Sequence, residues 1–315
     1  MTQIKKIIKF EFEPNNINMK VIIKGTVLLG VLFFMGCSEK PSKQTEAKTV
    51  DAKAVMVASM ERFKNAWNRG DAPSVAAEFT NDAVRVIANP MSPVEGGEAI
   101  LRAFEATYSE ESELYNSRME VEVVVNRFIS EDIMIGAGMF RILDENNNIL
   151  EQGKWGNVFR YEDGKIKFLL ESAHRIPNDS LTAGIVVELA NSITSEEPHF
   201  EKIQASIDNY MSNYNSKNKE GLAMLFIENA VQNVNSKEGI IIGRKQIKAT
   251  ENFSDGGTLD ANILGYRYLG KDLAIAYGNW TAMGEDDLTV NGQWGNLFKI
   301  SGDDALLVME SAGIR

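Results

Sequence analysis

Lys154 to Ile176 reads KWGNVFRYEDGKIKFLLESAHRI, and Gln293 to Arg315 reads QWGNLFKISGDDALLVMESAGIR. Trp155 falls on Trp294, Asn157 on Asn296, Phe159 on Phe298 and Glu171 on Glu310, all at one offset of 139 positions. A constant offset over such a stretch marks two copies of one domain. Each copy reads as a β-hairpin: an alternating strand, a Gly/Asp turn (Asp163-Gly164; Gly302-Asp303-Asp304) and a second alternating strand.

Upstream of the first hairpin, Met56, Met60, Phe63 and Trp67 recur on one face of a helix expected over about 50–69. A short helix (72–79), a strand (83–88) and, beyond Pro90 and Pro93, a third helix near 98–107 follow. Three long strands near 118–129, 132–143 and 149–161 precede the last, 165–176. In the second copy Tyr210 falls on Phe63, Tyr214 on Trp67, Phe226 on Phe79, Gly243 on Gly96 and Ile247 on Ile100, at an offset of 147. The second copy therefore lacks eight residues between its third helix and its last hairpin, a deletion expected in a surface loop. Between the copies, Ile185 to Leu189 is apolar and expected to pack on a domain, and Ser195-Glu196-Glu197 has the form of a helix N-cap and acidic first turn.

At 315 residues the chain accommodates two domains, and 44% hydrophobic with 24% charged residues is ordinary for globular proteins. A formal charge of −11 argues against a nucleic-acid partner, since phosphate binding needs a basic surface. With one cysteine, Cys37, no intrachain disulfide forms. Two histidines and that cysteine offer no HxxxH or CxxC spacing, so no metal site is expected, and no phosphate loop or other cofactor motif is present.

Lys20 and Lys24 precede an apolar run, residues 25–35, of signal-peptide length, which ends in Gly36-Cys37-Ser38. This resembles a bacterial lipoprotein signal, with Phe34 in place of the usual leucine; the resemblance implies cleavage before Cys37 and its lipidation. Multiple acyl chains would give lasting membrane attachment. Glu11 and Glu13 lie ahead of the basic region, so translation is expected to start at Met19. No aspartate follows Cys37, which by resemblance to the enterobacterial sorting rule permits the outer membrane, facing the periplasm or the surface. The expected layout is leader and signal 1–36, tether 37–48, first domain 49–176, linker 177–197 and second domain 198–315.

The helix ending in Ala-Trp-Asn-Arg-Gly-Asp (66–71), the approach to Phe79-Thr80-Asn81-Asp82-Ala83-Val84, a Gly-x-x-x-Ile helix start and a closing WGN…F…DGK hairpin resemble the SnoaL-like/DUF4440 branch of the NTF2-like superfamily. The resemblance covers both copies, almost all of the chain after the tether. It implies an α+β fold: two cone domains, each with three N-terminal helices packed on a curved antiparallel sheet, with a pocket at the open end. That superfamily hosts isomerases, dehydratases, cyclases, epoxide hydrolases and non-catalytic binding domains, so function rests on the site.

Glu171 and Glu310 each interrupt an apolar strand. Pointed into the cone, burial would raise their pKa and suit them to general acid–base work; turned outward, they would pair with a cross-strand cation. His174 lies three residues beyond Glu171, on the opposite strand face, and Gly313 takes its place in the second copy. These three are the catalytic candidates. Trp67, Arg85 and Asn157, with their counterparts Tyr214, Gln232 and Asn296, are the ligand-binding candidates; the plainer reading packs the aromatics in the core and bonds the asparagines to backbone. Trp155 and Trp294 are expected in the core. The strand Asp and Tyr/Asp pair of the steroid isomerase branch cannot be placed in either copy. Three readings follow: a lipid-anchored envelope protein binding a small, partly apolar ligand or a protein partner; a SnoaL-like isomerase, cyclase or hydrolase using a pocket glutamate; and a structural pairing of the two domains through their sheets, as related domains dimerise.

Overall fold

The computed structural model describes residues 50–87, 93–176, 189–251, 253, 257–284 and 289–314. The leader, Cys37 and most of the linker lie outside these. The first half runs α1 (Ala52–Trp67), α2 (Ala72–Ala76), β1 (Phe79–Ile87), β2 (Val94–Glu95), α3 (Gly97–Thr107), β3 (Arg118–Phe128), β4 (Ile133–Leu143), β5 (Ile149–Glu162) and β6 (Lys165–Arg175). Asp51 caps α1 by accepting from the Lys53 and Ala54 amides at 2.9 and 3.2 Å. Its buried face is the one the spacing predicts: Met56, Met60, Phe63 and Trp67.

The sheet is mixed rather than antiparallel. Its order is β2-β1-β6-β5-β4-β3, and β1 pairs parallel to β6 with Arg85 opposite Glu171. The third helix follows the first two strands, so the helices are not all N-terminal to the sheet. The reason is connectivity: β1 and β6 are separated by the whole domain, and a pairing that distant leaves no turn signal in the sequence.

The second half repeats the plan with α4 (Phe200–Asn215), α5 (Lys219–Met224), β7 (Phe226–Val234), β8 (Ile241–Ile242), α6 (Arg244–Thr250), β9 (Thr258–Ala261), β10 (Gly265–Gly270), β11 (Leu273–Met283), β12 (Thr289–Ser301) and β13 (Asp304–Ile314). Its third helix has 7 residues against 11 in the first half, so part of the missing length comes out of the helix as well as the loop. The counterpart of β3 is broken into β9 and β10, both paired to β11. At the break, the chain bonds instead to the incoming segment: the Ile193 backbone amide donates to Ile263 O at 2.9 Å and the Asn262 side chain, through Nδ2, to Ala190 O at 2.7 Å. Ser195 caps no helix, since α4 begins at Phe200. Pro198 disfavours helical backbone at Glu197, whose carboxylate accepts from the Tyr268 amide at 2.9 Å.

Both closing hairpins turn on two residues. Asp163 and Gly164 both take positive φ (51° and 77°), the geometry that suits the twist of an antiparallel pair, while Gly302-Asp303 closes the other and Asp304 opens β13. Each hairpin carries an irregularity at the matching place, Val158/Phe159 and Leu297/Phe298. Such bulges bend a strand.

The central strands of each sheet are buried on both faces. One face packs on its own helices through Phe63, Phe104, Phe159 and Phe168 in the first half and Ile203, Phe226, Trp294 and Phe298 in the second. The other faces meet each other in a shared core of Val84, Val158, Leu170, Val231, Leu297 and Met309. At its centre Ser172 Oγ donates to Ser311 O (3.4 Å) and Ser311 Oγ to Ser172 O (3.3 Å), a reciprocal pair relating the halves by an approximate two-fold. Away from that centre the symmetry fails. Lys154, fully buried, donates to the backbone carbonyls of Val234 (3.0 Å), Lys237 and Gly239 (2.5 Å), and burial pulls its ammonium down to about 8.

Candidate functional site

Alternation along β6 and β13 decides which side chains can serve a site. Glu171 and Ala173 turn to the helix side of the first sheet; Ser172 and His174 turn to the other sheet. His174 therefore lies between the halves, where Nε2 meets Ser172 Oγ at 2.8 Å and burial holds its pKa down to about 3. The structure does not bring it together with Glu171.

On the helix side of the first half is a cavity of about 150 Å³, lined by Trp67, Arg85, Trp155, Asn157, Phe168 and Glu171 among others. Two ion pairs close its polar wall. Arg85 donates to Glu171, both almost wholly buried, and its guanidinium lies 4.1 Å from the centroid of the Phe104 ring. Arg175 pairs with Glu151, whose carboxyl burial pushes upward. Every carboxylate facing this cavity has an internal counter-ion.

The second half holds a cavity of about 890 Å³, lined by Tyr210, Tyr214, Gln232, Trp280, Trp294 and Glu310 among others. Its chemistry follows from substitutions at matched positions. Phe63 becomes Tyr210, Arg85 becomes Gln232 and Phe104 becomes Glu251, while the strand glutamate persists as Glu310. Tyr210 Oη donates to Glu310 Oε1 at 2.7 Å and Gln232 Nε2 to Oε2 at 2.8 Å. Lys237 is held by Glu251 at 2.5 Å and Gln232 Oε1 at 2.8 Å. Glu310 thus has two neutral donors and, among the described residues, no cation paired to it. Burial is the main reason its carboxyl is raised above its ordinary value of 4.5, ahead of the opposing donors and Lys237; burial also raises the Tyr210 phenol well above its own.

Asn157 and Asn296 line the two cavities and also bond to backbone. Each side-chain oxygen accepts from a backbone amide of the opposite strand of its hairpin, Ser172 at 2.9 Å and Ser311 at 3.0 Å. All six ligand-binding candidates line one cavity or the other. The sequence reading leaves out Tyr210 and Glu251 as polar members of the site, and Lys237. The signal for the first two was present, as polar residues falling on Phe63 and Phe104 at the common offset; Lys237 sits after β7 without a usable counterpart. Among the described residues no cluster of potential metal ligands occurs, and no helix is long and apolar enough to cross a membrane.

A pH dependence follows. A carboxyl raised in the fold contributes stability that is complete below its unfolded value and lost as pH rises through its folded value. Glu310→Gln should flatten that loss: the variant should unfold at a higher denaturant midpoint than the parent at neutral pH and at a similar one near pH 4. A parent whose midpoint did not fall relative to the variant across that range would contradict the burial of an ionisable Glu310.

No protein-family model matches the chain, and no curated protein matches it. Solved structures similar to it include a protein of unknown function with a cystatin-like fold from Nostoc punctiforme (15% identity, TM-score 0.36, covering 41% of this chain and 95% of that one). Another is an NTF-2 like protein of unknown function from Shewanella oneidensis (12%, TM-score 0.34, 39% and 98%), and a third a ketosteroid isomerase-like protein from Erwinia carotovora atroseptica (18%, TM-score 0.33, 40% and 96%). Likeness of that order says nothing of activity.

Proposed function

We propose that the chain is a lipid-anchored protein of the bacterial cell envelope with tandem NTF2-like domains, and that its second half binds a small, partly apolar molecule without transforming it. The observation that carries the binding reading is the contrast between the cavities. One is small with its charges internally paired; the other is about 890 Å³, walled by tryptophan and tyrosine, with a buried carboxyl, Glu310, lacking a counter-ion. Concave, largely apolar sites with a few convergent polar groups are the usual form of a ligand pocket. The face-to-face sheets support the reading that the halves pair as related domains dimerise. The anchor rests on Gly36-Cys37-Ser38 after its apolar run.

One preparation tests both parts. The full-length chain, recovered from membranes, should carry a lipidated Cys37 N-terminus and a co-purifying small molecule, both visible by mass spectrometry. Cys37→Ala should release the folded protein from membranes, and Ala312→Phe, which fills the cavity wall, should lose the molecule. An intact Met1 N-terminus would refute the anchor. Absence of any retained molecule at micromolar affinity would sink the binding reading.

A second reading makes Glu310 a general acid–base, favoured by its raised carboxyl and the Tyr210 hydroxyl on it. It requires that Glu310→Gln abolish a turnover while leaving ligand affinity and fold intact.

A further inference from the structure

The two halves place a glutamate at the same register, and the first shows what that glutamate is built to hold. In the first half Arg85 stands opposite Glu171 on the paired strand and supplies a cation that is both salt-bridged and laid over an aromatic ring. In the second half Gln232 stands opposite Glu310, and the guanidinium is gone. Gln232 and Tyr210 satisfy one lone pair on each carboxylate oxygen, and each oxygen keeps another. Lys237 does not take the vacated role, because its ammonium donates to Glu251 and to the side-chain Oε1 of Gln232. The cavity that Glu310 lines is walled also by Trp280, Trp294, Tyr214, Met211 and Leu259.

We propose that the ligand of the second cavity is an organic ammonium compound, its cation seated against Glu310 in the role that Arg85 plays for Glu171, and its apolar body lying along the tryptophan wall. This rests on the reading of that cavity as a ligand site and adds the ligand's charge. Three physical terms favour it. A buried carboxylate without a counter-ion is costly, and a ligand cation removes the cost. A charge-assisted N–H···O bond is stronger than a neutral one. Indole and phenol faces attract cations where water is excluded. The chain's formal charge of −11 adds long-range attraction for a cation. The burial-raised carboxyl of Glu310 is the expected unliganded state, and cation binding should drive it to ionise.

The test uses three probes with one aromatic body: naphthylethylamine, naphthylethanol and naphthylacetate. Each is titrated calorimetrically into the full-length chain in detergent near neutral pH. The amine should bind about tenfold or more tighter than the alcohol, a difference of about 1.4 kcal/mol, and the acetate weakest. Glu310→Gln should bring the amine down to the level of the alcohol. Gln232→Arg, which restores the internal cation of the first half, should do the same by a different route and guards against a folding effect of the first variant. Equal or better binding of the alcohol or acetate overturns the cation while leaving a ligand site. Binding of none of the three, or binding unaffected by Ala312→Phe, overturns the site together with the proposal.

Discussion

Arg85→Met is expected to cost about 3–5 kcal/mol of stability, the usual cost of removing one partner from a buried ion pair. Glu171 is buried opposite it on the parallel strand, and among the described residues Arg85 is the one cation paired to it. The lost contact with the Phe104 ring adds to the cost. The double variant Arg85→Met/Glu171→Leu should recover most of the loss, because the penalty lies in the stranded carboxylate rather than in a missing attraction. Gln232→Met at the matching position should cost less, about 1–2 kcal/mol, since the two hydrogen bonds it removes strand no charge: Tyr210 remains on Glu310 and Glu251 on Lys237. Urea unfolding of the full-length chain measures all three. Equal losses for Arg85→Met and Gln232→Met would mean that the two sites do not differ in charge balance as described.

Trp155→Ala and Trp294→Ala should each cost about 3–5 kcal/mol, a large share of the roughly 5–15 kcal/mol available to a folded domain. Each indole is 4% exposed and lies across a glycine of the neighbouring strand. A Cβ at Gly138 would come within 2.8 Å of the Trp155 ring, and one at Gly278 within 3.0 Å of Trp294, so the bare backbone is what lets the rings lie flat. Each indole nitrogen also donates to a backbone carbonyl, Met139 at 3.2 Å and Asn279 at 3.3 Å. Trp294 should sit at the lower end of the range, because its wall already faces open space. Losses under about 1 kcal/mol for both would show that the rings are ligand platforms alone.

Much of this was legible before the structure. Strand and helix limits fall within a few residues of those read from the sequence, because the stripe Met56-Met60-Phe63-Trp67 and the paired hairpins are strong periodic signals. Parallel pairing of β1 with β6 was not legible, since no local chemistry announces a partner so distant in the chain. The false cap at Ser195 shows the same weakness from the other side: a good local pattern yielded to Pro198 and a tertiary bond from Tyr268 to Glu197. In the site, the strand glutamates stood out as charges in apolar runs, but whether each had a counter-ion depended on Arg85 and Gln232 across the sheet. Lys154 could not be found at all. A lysine in a strand ordinarily reads as solvent-facing, and its acceptors are main-chain carbonyls, which carry no residue signature.

The unequal seam between the sheets has a consequence for how the halves may be combined. His174 fits only because Gly313 faces it; a Cβ at Gly313 would come within 2.2 Å of the His174 Cβ. Two first halves brought together in the same way would set histidine against histidine, and two second halves would offer Gln293 where Lys154 now gathers three carbonyls. Neither half is a proper mate for its own copy. A homodimer must repeat any change at both of its sites, whereas one polypeptide carrying both mates in fixed one-to-one ratio is free of that constraint. The first half can then keep a closed, charge-balanced interior while the second trades an arginine for a glutamine and opens a space beside its acid.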